Sequence, residues 1–267
     1  MRLVDVHAHL DYPPLSERLD EVLKNAKEKG VKAIVSNGTN PESNRKVLEL
    51  SKNHDIIKAS LGFYPTHVQE VSEEELDIEL KFIESEITKG NVIAIGEVGL
   101  DKKFAPEDNQ PERTEEEKEK LFKKQVIGFK KIIALAERTG VPIIIHSRKA
   151  ELDVIELLEQ SKINKRKIIM HCFSGKKKLV ARIRENGWTF SVPVIVTKLQ
   201  QFQELVRDTP INQLLTETDA PYLGPEPGLT NESANVDLSI RKFAELKGMT
   251  PEEMADNIFL NYMNIFL

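Results

Sequence analysis

The chain has 267 residues, 40% of them hydrophobic and 30% charged, with a net charge of −5. That length suits one large domain with a full core, and the acidic balance argues against a protein that coats duplex nucleic acid. The lone cysteine, Cys172, excludes an intrachain disulfide and points to a cytoplasmic setting; no apolar run is long enough to span a bilayer, and no basic-then-apolar leader precedes the first element.

The first predicted strand is Leu3–His9. A helical pattern follows Ser16 and stops at Gly30, ahead of strand two, Lys32–Asn37. Asn40-Pro41 reads as an N-cap with proline at the first helical position, and strand three is Ile57–Gly62. Ser72 and Glu75 have capping-box spacing; that helix ends near Gly90, and Val92–Glu97 is strand four. Thr114 and Glu117 open a further helix in the same way, closed at Gly140 before strand five, Pro142–His146. Ile168–His171 is strand six, Gly187 ends the next helix, and Thr189–Val194 is strand seven. Strand eight, Leu214–Asp219, precedes a Pro/Gly-rich loop over Pro221–Gly228, and Thr250-Pro251-Glu252-Glu253 starts the last helix.

Most of these strands are continuous apolar runs, as expected of strands buried on both faces of a parallel sheet. Eight of them alternating with helices, without repeat, low-complexity tract or linker, predict an α/β fold: a single-domain (β/α)8 TIM barrel over residues 1–267. A doubly wound open sheet is the alternative. No glycine-rich phosphate loop follows the first strand, which argues against a nucleotide cofactor.

In such a barrel the site lies at the C-terminal ends of the strands. His7 and His9 stand two residues apart, on one face of strand one and about 6.6 Å apart along it. Strands four, five, six and eight end in Glu97, His146, His171 and Asp219. Singly, each is commonly structural: a histidine at a strand end is most often a core residue, Glu97 a loop acid and Asp219 a turn cap. Together they converge on one mouth. Six donors exceed the needs of one tetrahedral ion, so two divalent cations are expected. His7, His9 and Asp219 would hold one. His146 and His171 would hold the other, with Glu97 bridging, and Asp219 doubles as general base. Imidazole suits zinc, while mixed nitrogen and oxygen donors admit manganese or magnesium.

At these residues the chain resembles the TatD family of metal-dependent hydrolases, in the amidohydrolase superfamily. The likeness is carried by Asp5-Val6-His7-Ala8-His9-Leu10-Asp11, Gly96-Glu97-Val98-Gly99-Leu100-Asp101, Ile145-His146-Ser147-Arg148, His171-Cys172-Phe173-Ser174-Gly175 and Glu217-Thr218-Asp219-Ala220-Pro221-Tyr222-Leu223. The resemblance implies a barrel, the same six ligand positions and a deoxyribonuclease that trims DNA, often from the 3′ end. Two departures stand out. Many members have Gly-x-His-Pro-His after strand three, where this chain has Gly62-Phe63-Tyr64-Pro65-Thr66-His67. The family's Asn-Glu-Pro is Asn231-Glu232-Ser233 here, so that loop is expected to sit differently.

Around the ligands, Arg148 suits a phosphate oxygen, against a plain surface arginine, and Tyr64 and His67 are candidate substrate contacts, against loop packing. Lys102 and Lys103 read as solvated, Asp5 as a buried hydrogen-bonding carboxylate, Glu217 as support for a ligand and Cys172 as core. The expected function is phosphodiester hydrolysis of transiently bound DNA, exonucleolytic, by a two-metal-activated hydroxide. The alternative keeps the site and changes the bond, to an aminoacyl-tRNA ester or a small amide. A third reading, a metal-stabilised scaffold without catalysis, fits poorly with an open site. Oligomeric state is not legible in the sequence.

Overall fold

In the computed structural model, which describes residues 1–103 and 113–267, eight parallel strands lie in sequence order around a barrel. They are β1 Leu3–Ala8, β2 Val31–Asn37, β3 Ile57–Leu61, β4 Ala94–Asp101, β5 Ile143–Arg148, β6 Ile168–His171, β7 Thr189–Val192 and β8 Leu214–Thr216. The connecting helices are α1 Leu19–Glu28, α2 Pro41–Asn53, α3 Pro65–Glu70, α4 Glu73–Thr88, α5 Glu115–Thr139, α6 Glu151–Glu159, α7 Lys177–Glu185, α8 Gln200–Asp208, α9 Val236–Lys247 and α10 Pro251–Phe266. No described helix is long and apolar enough to cross a membrane.

The helix ends follow the local chemistry. The Asn40 side chain accepts from the Ser43 amide at 3.0 Å, with Pro41 at the first helical position. Ser72, Thr114 and Thr250 each form a reciprocal capping box with the glutamate three residues on. Gly140 closes α5 at φ 68°, a left-handed conformation that glycine adopts without a Cβ clash. The helix that was expected to follow Ser16 begins instead as a 3₁₀ turn, Ser16–Arg18, and becomes α-helical at Leu19.

Several strand limits differ from the sequence reading, and those of β4 and β8 shift furthest at a ligand candidate. β4 does not end at Glu97. It breaks register between Ile95 and Val98, then pairs with β5 through Gly99↔His146 and Asp101↔Arg148. Glu97 interrupts the apolar run only once: Val98 and Leu100 beyond it are buried, and the strand continues to Asp101. β8 stops at Thr216, so Asp219 stands three residues beyond it, at φ 59°. β5 also runs past His146 to Arg148, and His9 lies just past β1.

The seam between β1 and β8 is tied largely by side chains. The Thr216 hydroxyl donates to the Val4 carbonyl at 2.7 Å. The Asp5 carboxylate, fully buried, accepts from the Thr218 hydroxyl at 2.7 Å and the Thr218 amide at 2.9 Å. Beyond it the Asp219 amide donates to the His7 carbonyl at 2.9 Å, and the His9 amide to the Ala220 carbonyl at 2.7 Å. Burial pushes the Asp5 carboxyl up to about 6 against the pull of these donors. A buried carboxylate without partners costs far more than one that accepts two hydrogen bonds.

Thr218→Val keeps the side-chain shape and deletes the hydroxyl. It leaves one Asp5 oxygen short of a donor and should cost about 1–3 kcal/mol. A urea midpoint equal to that of the unaltered protein would show that the seam does not depend on this bond.

Candidate metal centre

His9, His146, His171, Glu97 and Asp219 line a cavity of about 560 Å³ at the C-terminal mouth of the barrel, and His7 lies fully buried against them. His7 Nε2 lies 3.2 Å from His9 Nε2. Both lie 3.4 Å from Glu97 Oε2, and 3.7 and 3.6 Å respectively from Asp219 Oδ1. The other oxygen, Glu97 Oε1, is 2.9 Å from His146 Nδ1 and 3.8 Å from His171 Nε2. The two oxygens of one carboxylate thus face two different histidine pairs.

The hydrogen bonds behind the rings fix which nitrogen faces the centre. His9 Nδ1 donates to the Asn37 carbonyl at 3.0 Å, and His171 Nδ1 to Glu217 Oε2 at 2.9 Å. In its neutral form each ring therefore turns an Nε2 lone pair inward. Glu217 is fully buried and also accepts the Cys172 amide at 3.0 Å. His7 stacks on His171, centroids 3.7 Å apart, and its Nδ1 finds no hydrogen-bond partner among the described residues.

This donor set fits a divalent cation. Two donors on one ion at about 2.0–2.1 Å, at the tetrahedral angle, stand about 3.4 Å apart. The His7–His9 separation and the distances of both rings from Glu97 and Asp219 run from 3.2 to 3.7 Å. Lone pairs and carboxylate oxygens so close repel one another unless positive charge sits between them. The protonation preferences of these side chains point the same way. Burial opposes a charged His9, yet Asp219 and Glu97 hold its pKa well above the ordinary value. Burial likewise opposes ionised Glu97, and the surrounding histidines still bring it well below the carboxylate range. His7 and His171 are pushed down chiefly by burial, which His171 reinforces at His7 and which Asp219 and Glu97 oppose at His171, to the neutral form that ligates.

The remaining sequence candidates divide. Tyr64, His67 and Arg148 all line the cavity. Tyr64 reaches inward, its hydroxyl 3.2 Å from both Asp101 Oδ2 and His146 Nε2. His67 Nδ1 donates to the Thr39 carbonyl at 2.9 Å, and the half-exposed Arg148 stands 3.9 Å from Asp101. Lys102 pairs with Asp153 at 2.7 Å and covers the Phe122 ring, which makes it a surface residue. Cys172 carries a thiol pushed well up by burial and neighbouring carboxylates, unsuited to nucleophilic work. In the loop where the Asn-Glu-Pro pattern is broken, Asn231 Nδ2 donates to the Thr218 and Leu223 carbonyls and braces the turn that carries Asp219.

Sequence reasoning passed over Asp101. It lies four residues after Glu97, an even spacing that marks a shared strand face, and it is buried. It also passed over two glycines that give Glu97 its room. A Cβ on Gly62 would lie 2.5 Å from the Gly96 carbonyl carbon and 2.6 Å from the Glu97 nitrogen. One on Gly96 would lie 2.7 Å from Ile144 Cβ.

Comparison with known proteins agrees with this geometry. The family of TatD related DNases matches residues 4–267. The human deoxyribonuclease TATDN3 is 32% identical over 272 residues, spanning 99% of this chain and 94% of that one. YabD of Bacillus subtilis, an uncharacterized metal-dependent hydrolase, is 33% identical over 99% of this chain and 98% of its own. The crystal structure of YJJV, a TatD homolog from Escherichia coli, superposes with a TM-score of 0.85 at 26% identity, covering 99% of this chain and 98% of that one. The chain belongs to the TatD family of metal-dependent hydrolases, the TatD related DNases.

Proposed function

We propose that the protein is a deoxyribonuclease that hydrolyses phosphodiester bonds at a centre holding two divalent cations. The observation that supports this most directly is the split of Glu97, with Oε2 toward His7 and His9 and Oε1 toward His146 and His171. His7, His9 and Asp219 would hold one ion, His146 and His171 the other, and Glu97 would bridge them. Cations bound there supply activation of water near neutral pH and counter-charge for a phosphate.

The chain's own residues do the rest. Asp219 Oδ1 stands 3.6–4.0 Å from three imidazole nitrogens, at the centre of the cluster. Burial opposes its ionisation, but His9, His171 and His7 keep it below the ordinary carboxylate range. An ionised carboxylate so placed accepts the proton of the attacking water and returns it to the leaving oxygen. Arg148, at the rim, suits a non-bridging phosphate oxygen. His67, oriented by Thr39, is placed for the neighbouring sugar-phosphate. The cavity has the size of a small-molecule pocket, which favours the end of a strand over the flank of a duplex, and so an exonuclease. Mg, Mn and Zn are all compatible with this donor set.

Protein stripped by a chelator should leave single-stranded and duplex DNA intact and recover when refilled with magnesium, manganese or zinc. Substrates blocked at the 3′ or 5′ end report polarity, and a panel of esters and amides run alongside covers the alternative bond. Cleavage of an ester or amide with DNA untouched under all three metals would overturn the nuclease reading. Glu97→Gln should reduce bound metal from two equivalents to one at most and abolish turnover; two retained equivalents would remove the bridge. Asp219→Asn should lower kcat by about 10²–10⁴-fold if it moves the proton, and a smaller loss would assign the proton elsewhere.

A further inference from the structure

We infer that Asp101, assisted by Tyr64, is a positioning residue that keeps the His146 proton on Nε2 and so leaves Nδ1 free to ligate. This rests on the two-ion reading above, in which His146 faces Glu97 through Nδ1. His146 Nε2 donates to Asp101 Oδ2 at 3.1 Å, while its Nδ1 sits 2.9 Å from Glu97 Oε1. An imidazole ligates through the nitrogen that carries no proton, and the hydrogen bond at the other nitrogen decides which one that is.

Asp101 is itself held from several sides. Its second oxygen, Oδ1, accepts the Lys103 amide at 2.6 Å, which dictates which oxygen is left for the histidine. Its backbone is clamped by Gln125, which accepts the Asp101 amide and donates to the Asp101 carbonyl, both at 2.9 Å. Gln125 is fully buried and also donates to Gln69 at 3.1 Å. These contacts do not involve the Asp101 side chain, so they survive its substitution.

Tyr64 supplies a second donor to the same oxygen. Its hydroxyl lies 3.2 Å from Asp101 Oδ2. Its backbone is anchored at the start of α3, where the Tyr64 amide donates to the Thr39 carbonyl at 2.8 Å. The tyrosine at this point of the chain thus belongs to the support of His146 as well as to the cavity wall.

The proposal has a specific consequence for Asp101→Asn. The Lys103 amide needs an acceptor, so the new side chain keeps its oxygen there and turns its NH₂ toward His146. A donor facing Nε2 forces the ring proton to Nδ1, where it points at Glu97 and blocks ligation. Steric fit is preserved, because aspartate and asparagine have the same shape.

The test is a metal-binding cycle on the full chain, read by calorimetric titration with Mn²⁺ and Zn²⁺. His146→Ala identifies the component of binding that depends on His146. Asp101→Asn should weaken that component by about 10–100-fold, leave the remaining component unchanged, and have no further effect when combined with His146→Ala. Tyr64→Phe should weaken the same component by less than Asp101→Asn. ¹⁵N spectra of labelled histidine in apo protein, recorded at a pH high enough to leave the His146 ring with a single proton, should show that proton moved from Nε2 to Nδ1 in Asp101→Asn, which covers the case of a variant too unstable for titration with metal. If His146→Ala weakens no component, the two-ion reading fails and this inference with it. If His146→Ala weakens one component but Asp101→Asn leaves both affinity and proton position unchanged, the positioning role alone is overturned.

Discussion

The seam between the first and last strands is the constraint on which the centre depends. A (β/α)8 barrel must join its ends, and here the joint is made where the chemistry sits. Asp5 holds Thr218, His7 holds Asp219 through the His7 carbonyl, and Ala220 holds His9 through the Ala220 carbonyl. Closing the barrel and bringing Asp219 against the His7–His9 pair are therefore one event. The metal-binding geometry is assembled from residues more than two hundred positions apart in sequence, and folding alone creates it. Cation binding in turn stabilises the folded chain, because the unfolded chain holds no such cluster.

A second feature is the layering behind the imidazoles. His9 leans on the Asn37 carbonyl, His171 on Glu217, and His146 on Asp101. Each backing group comes from a different strand or strand extension from the ring it orients. Asp101, which His146 holds below the ordinary carboxylate range against burial, adds negative charge just outside the ligand set and raises the basicity of the ring it touches, whereas burial pushes the Glu217 carboxyl well up and its part is to hold the His171 ring in place. His146 shows the effect without metal: burial opposes its charged form, yet Asp101 and Glu97 push it up to about 9.

Much of this was legible in the sequence, for a physical reason. Inside a parallel barrel the apolar run of each strand is interrupted where the lining becomes a site, so His7, His9, Glu97, His146, His171 and Asp219 announced themselves as polar punctuation. That same rule misplaced two boundaries. β4 continues as backbone pairing to Asp101, and β8 stops before Asp219, because hydrogen-bonded ladders and hydrophobic runs need not end together. Asp101 escaped notice because it looks like the first acid of a loop; its burial and its bond to His146 depend on the Gln125 clamp from α5, which no local pattern reveals. Tyr64 was legible as a departure, but its partners were not.

Gly62 and Gly96 carry a consequence for how the protein can diverge. Their missing side chains leave Glu97 a seat lined by backbone and by Ile144, with no slack for even one methyl group. New specificity cannot be won by carving deeper, since any enlargement there displaces the central carboxylate. Variation has to be accommodated at the entrance, in the loops that present Tyr64, His67 and Arg148. The lineage of such a barrel is then one of a frozen hearth beneath interchangeable doorways.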